Sequence, residues 1–103
     1  MAKKSIVVIA EFSIHPIGSG TSVGRYVKAA IKSLTKIPNL KYQVTPMATV
    51  LEAPTLGPIL HAVEVSHQKL RSMGAKRISS ILRVDERLDK PRTMQDKVMS
   101  MKR

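Results

Sequence analysis

Residues 5–14, SIVVIAEFSI, begin apolar on both faces and then alternate, which predicts a centrally placed β-strand. Ile6, Val8, Ala10, Phe12 and Ile14 share one side; Val7, Ile9, Glu11, Ser13 and His15 share the other. Pro16, Gly18 and Gly20 then break the pattern in HPIGSGTS. From Thr21 or Ser22 to Ile37 the spacing turns helical. Val23, Val27, Ala30, Ile31 and Leu34 form an apolar stripe, and Arg25, Lys28, Lys32 and Lys36 lie opposite it. Pro38 and Asn39 end this helix. Residues 40–45 and 47–53 read as two short strands joined tightly around Pro46, a hairpin that can hold a bulge near the proline. A second helix is predicted from Thr55 to Met73, with Leu56, Ile59, Leu60, Val63, His67 and Leu70 on one face. Pro58 suits its first turn and Gly74 its end. Residues 76–85, KRISSILRVD, make a fourth strand. A last helix, Thr93 to Met101, offers Met94, Val98 and Met101 as its contact side.

The order is β-α-β-β-α-β with a terminal helix. The class is α/β in the broad sense and α+β more narrowly: a ferredoxin-like antiparallel sheet in one domain spanning residues 1–103. Right-handed crossovers place both long helices on one sheet face, with the first and last strands expected among the neighbours at its centre.

Composition narrows the functional classes. The 103 residues contain no Cys, which removes disulfides, thiolate metal sites and cysteine nucleophiles. The same absence fits a reducing compartment, and a cytoplasmic location is expected. Lys3 and Lys4 before an apolar run imitate a signal peptide, but Glu11 interrupts the run and no cleavage pattern follows. No stretch approaches the roughly 18 apolar residues of a membrane span. The formal charge is +11, distributed as +6 over residues 1–50 and +5 over residues 51–103. Such a charge suits an anionic partner, and equally serves solubility.

With one sheet face under the helices, Val7, Ile9 and Ile81 are left on the open face, together with Glu11, Arg83 and Asp85. Apolar area left in water costs about 25 cal/mol per Å². A second copy of the chain is the expected cover, and the terminal helix folding back is the alternative. Two readings of the polar residues are compatible: a Glu11–Arg83 ion pair across adjacent strands, and a ligand pocket between sheet and partner subunit. Glu52, at the end of its strand, is held where a carboxylate can receive an amino group or ring nitrogen. It can also serve the start of the following helix.

The other motifs are less specific. HPIGSGTS has glycines followed by hydroxyls at a helix start but lacks the GK[ST] of a phosphate-binding loop. Ser22 reads as a helix cap, with an anion at the helix start as the second reading. His15, His61 and His67 lack metal-ligand spacing; His67 is expected to be a hydrogen-bonded core or interface residue and His61 to lie nearer solvent. No nucleophile, metal set or proton-transfer pair stands out, so no catalysis is expected. For nucleic acid, the first helix's basic stripe can follow phosphates. The open face, however, lacks the aromatic residues with which sheets of this topology stack bases. A basic nucleic-acid-binding module, or a purely structural or regulatory oligomer, is the alternative function.

Several short segments, taken in order, resemble one family of about one hundred residues. They are the Pro16-Ile17-Gly18 turn, Ser22 followed by Tyr26-Val27, and Thr49-Val50-Leu51-Glu52. His67, Arg83-Val84-Asp85, Arg87-Leu88-Asp89 and Gln95-Asp96-Lys97 complete the series. The chain resembles the small thiamine-binding-protein family over about residues 6–101. That resemblance implies a ferredoxin-like fold assembling through its sheets into dimers and then tetramers. It also implies non-catalytic binding of thiamine or its hydroxymethylpyrimidine moiety. Carried over to this chain, the implied pocket residues are Glu11, Ser22, Thr49, Glu52, Arg83 and Asp85, with no cofactor and no membrane partner. Carboxylates suit a ligand that carries an aminopyrimidine and a cationic thiazolium.

Overall fold

A computed structural model describes residues 7–18, 20, 23–89 and 93–101 of the chain. The alternation in the first strand seats the sheet on its helices. β1 (Val8–Pro16) buries Val8, Ala10, Phe12 and Ile14 in the core. It continues through Pro16, two residues past the predicted end, because β4 (Ile78–Glu86) pairs along its whole length, Pro16 opposite Ile78. The Ile17 N–H then donates to the Arg77 carbonyl at 2.7 Å.

α1 (Gly24–Leu34) is followed by a turn in which Ile37, 8 % exposed, still reaches the core. β2 (Lys41–Val44) and β3 (Thr49–Ala53) form the predicted hairpin. Their ladder runs in unbroken register from Lys41 opposite Glu52 to Val44 opposite Thr49, without the bulge that Pro46 allowed. Pro46 sits in the turn, where the Thr45 N–H and hydroxyl both donate to the Ala48 carbonyl. α2 (Leu56–Ser72) closes with Gly74 at φ +95°, a left-handed position that glycine takes without strain. There the Ala75 N–H donates to the Leu70 carbonyl and the Gly74 N–H to that of Arg71, satisfying two orphan carbonyls of the last turn. α3 (Met94–Met101) ends the described chain.

The sheet order is β2-β3-β1-β4, antiparallel throughout, so the topology is ferredoxin-like. The expected central placement of the last strand is corrected: β1 and β3 are central, and β4 is an edge. Each helical crossover skips one strand, so the connection from β3 carries β4 across β1 to the far side. Both long helices cover the Val8–Ile14 face. Tyr26, Ala30 and Leu34 of α1 meet Ile59, Ala62 and Leu70 of α2 over Leu51. The helical stripes are rotated from the predicted ones. Tyr26 and Ala62 are buried, whereas Leu60, expected on the inner face, is 51 % exposed. His67 is half-buried, outside the core cluster, and makes the expected hydrogen bond, pairing with the Ser80 hydroxyl at 2.7 Å.

Candidate functional site

The open sheet face is assembled by cross-strand register. On β1, Ile9 stands between Glu52 of β3 and Asp85 of β4; one pair further along, Glu11 stands between Val50 and Arg83. Residues directly opposite share a face, so Glu11, Glu52, Arg83 and Asp85 come together there although they lie far apart in the chain. Thr49 does not join them. It is opposite Phe12, on the helix-covered face, where it lines a separate cavity of about 280 Å³ with Val27, Ile31 and Val44. Ser22 lies outside the described residues.

α3 reaches this face through polar groups rather than the predicted apolar side. None of its residues is buried, and Val98 and Met101 are exposed. Thr93 and Asp96 bond reciprocally, Asp96 N–H to the Thr93 hydroxyl and Thr93 N–H to the Asp96 carboxylate. The sequence signal for that box is Thr93-Met94-Gln95-Asp96, a hydroxyl and a carboxylate three residues apart. The next N–H, that of Met94, donates to Glu52 Oε1 at 2.7 Å. A carboxylate there satisfies an orphan donor and faces the positive end of the helix. Glu52 is 6 % exposed, with Lys41 Nζ 3.9 Å from its other oxygen. Sequence reasoning had no local signal for this anchor, because it joins two segments distant in the chain.

One turn on, Lys97 Nζ donates to Asp85 Oδ2. Glu52 and Asp85 flank Ile9, so the two anchors carry α3 across it. Ile9 is accordingly 7 % exposed, not open as expected, while Ile81 remains 67 % exposed. The terminal helix thus covers one end of the face.

Beside α3 lies a cleft of about 190 Å³ lined by Ile9, Val50, Glu11, Arg83, Asp85 and Lys97. Glu11 and Arg83 are directly opposite across the ladder, but no ion pair joins them among the described residues. Chemically the cleft offers a carboxylate and a guanidinium that, among the described residues, bond to no other side chain, between two aliphatic walls. Lys97 holds the Asp85 carboxyl below its ordinary 3.8, first by its hydrogen bond and then by its charge, with Arg87 and Arg83 adding to the effect. Because the folded-state value is depressed, the contribution of the pair is present above pH 3.8 and is lost as pH falls through the lowered value. Lys97→Ala is expected to return the Asp85 carboxyl toward 3.8 and to speed amide exchange in α3. A carboxyl-carbon NMR titration reads the first effect and hydrogen exchange the second. An unmoved titration would remove Lys97 as its cause.

The family model described as thiamine-binding protein matches residues 10–102 of the chain. The chain belongs to the thiamine-binding-protein family. A relative from Methanothermobacter thermautotrophicus, named only as a UPF0045 protein, is 36 % identical over 97 residues, covering 93 % of this chain and 97 % of that one. The crystal structure of a hypothetical protein from Methanocaldococcus jannaschii matches with a TM-score of 0.85 at 40 % identity, over 93 % of this chain and 96 % of that chain. A Bacillus cereus domain of unknown function matches with a TM-score of 0.80 at 25 % identity, over 96 % and 94 % of the two chains. Membership in this family points to small-ligand binding near the sheet. Among the described residues no three His, Asp or Glu side chains cluster as a metal site, and no helix is long and apolar enough to cross a membrane.

Proposed function

We propose that this chain binds thiamine or its hydroxymethylpyrimidine moiety, without catalysis, in the cleft on the open sheet face. The observation that carries the reading is Glu11, a carboxylate aimed from a central strand into that cleft and without a side-chain partner among the described residues. A rigid strand holds it where it can accept from an exocyclic amino group or balance a thiazolium charge. Arg83 and Asp85 complete the polar rim, and Ile9 and Val50 supply aliphatic walls. Glu52 acts by holding α3 at the edge of the cleft. Ile81 leaves apolar surface beside the site, which suits a sheet-to-sheet homodimer, and a dimer of dimers beyond it, closing over the ligand in the cytoplasm.

The test is calorimetric titration of ligand-stripped protein, sized beforehand, with thiamine and with hydroxymethylpyrimidine. Saturable binding at one ligand per subunit, or one per interface, is the expected result. Absence of heat with a folded oligomer at high ligand concentration would refute the proposal.

A further inference from the structure

On the opposite side of the molecule, α1 and α2 leave a groove of about 710 Å³ between them. Its floor is aliphatic: Ala29, with the buried Ile37, from the α1 side, and the half-buried Val65 and Met73 from α2 and the turn after it. Its rims are cationic. Lys32 and Lys36 line one edge and Lys69 the other, all three exposed. None of these ammonium groups has an ion-pair partner among the described residues. Among the described residues no carboxylate lines the groove; the nearby Glu64 is engaged with His61, whose Nδ1 is 3.6 Å from its Oε1.

The spacing follows helix geometry. His61, Val65, Lys69 and Met73 recur every fourth residue along α2, and Ala29, Ser33 and Ile37 do so along α1 and its following turn. At 1.5 Å per residue the groove runs roughly 12 Å on one side and 18 Å on the other. That is two to three helical turns, with charge on both flanks and apolar side chains between. A phosphate polymer would use only the rims and leave the apolar floor wet. A small monovalent anion would leave most of the charge unanswered.

We propose that this groove docks an amphipathic acidic helix of a partner protein, its apolar stripe on Ile37, Val65 and Met73 and its carboxylates against Lys32, Lys36 and Lys69. Recognition of a helix in a groove has these requirements: apolar anchors at i, i+3, i+4 and i+7, and complementary charge at the margins. The site lies behind the sheet from the Glu11 cleft, so it stands independently of the thiamine reading.

The experiment uses the full chain and three fluorescent probes. These are a Leu/Glu peptide with its leucines on one helical face, a scrambled isomer of the same composition, and a thymidine oligonucleotide of equal charge. The amphipathic peptide is expected to bind at least about 10-fold tighter than its isomer at moderate salt, as apolar burial adds to charge. Its methyl NMR shifts should concentrate at Ile37, Val65 and Met73. Lys32→Glu with Lys69→Glu should weaken it by about 10-fold or more, the scale of charge-assisted contacts. Lys76→Glu with Arg77→Glu, an equal change of net charge away from the groove, should leave it within about twofold, the scale of screened surface charge. Equal binding of the scrambled isomer would overturn the proposal, as would equal loss in both double variants. Tighter binding of the oligonucleotide through the same lysines would assign the surface to nucleic acid instead.

Discussion

Glu11→Gln is expected to lower thiamine affinity by about 10-fold, the difference between a charged and a neutral hydrogen-bond acceptor. The substitution keeps size and removes only the charge, at an exposed position whose loss leaves no buried group unpaired. Comparing two ligands then locates the contact. Thiamine is a cation and hydroxymethylpyrimidine is not. A loss confined to thiamine places Glu11 against the thiazolium, and an equal loss for both places it against the aminopyrimidine. Glu52→Gln is the informative companion. A glutamine oxygen can still accept from the Met94 N–H, so α3 stays anchored and affinity should change far less. Unchanged affinity for both ligands in Glu11→Gln would eliminate carboxylate recognition from this cleft.

The largest effect on stability is expected between two neighbours on α2. Ile59 is fully buried against the sheet, whereas Leu60 is 51 % exposed. Ile59→Ala removes packed methyl groups and opens a cavity, costing about 2–5 kcal/mol. That is a large share of the 5–15 kcal/mol typical of a domain. Leu60→Ala removes a similar volume from a half-wetted site and should stay within about 1 kcal/mol. Urea denaturation of the two variants measures both. Comparable losses would mean that Leu60 is covered in solution, most simply by another chain.

That contrast shows where periodicity reaches its limit. A stripe of apolar residues 100° apart identifies a helix, but residues near the stripe's edge fall inside or outside according to how the helix is rotated on its sheet. Leu60 falls outside for that reason, and Tyr26, beside the predicted stripe of α1, falls inside. The open face divided in the same way. Alternation in SIVVIAEFSI correctly put Glu11 and Ile9 on one side and Phe12 on the other. It carried no information that α3 would cross Ile9, because the crossing depends on Glu52 and Asp85 bonding to Met94 and Lys97 from distant parts of the chain.

The sequence by itself determined the number, order and type of the elements, and which residues of each strand share a side. It did so because side-chain period, proline and glycine act within a few residues. It also determined the family, since motifs in fixed order need no coordinates to be recognised. Tertiary structure decided the rest: β4 at the sheet edge, Thr49 turned away from the carboxylates, and Glu52 committed to the terminal helix. Strand order, helix rotation and long-range capping are settled by which surfaces remain to be buried once the local elements exist, and that competition is non-local.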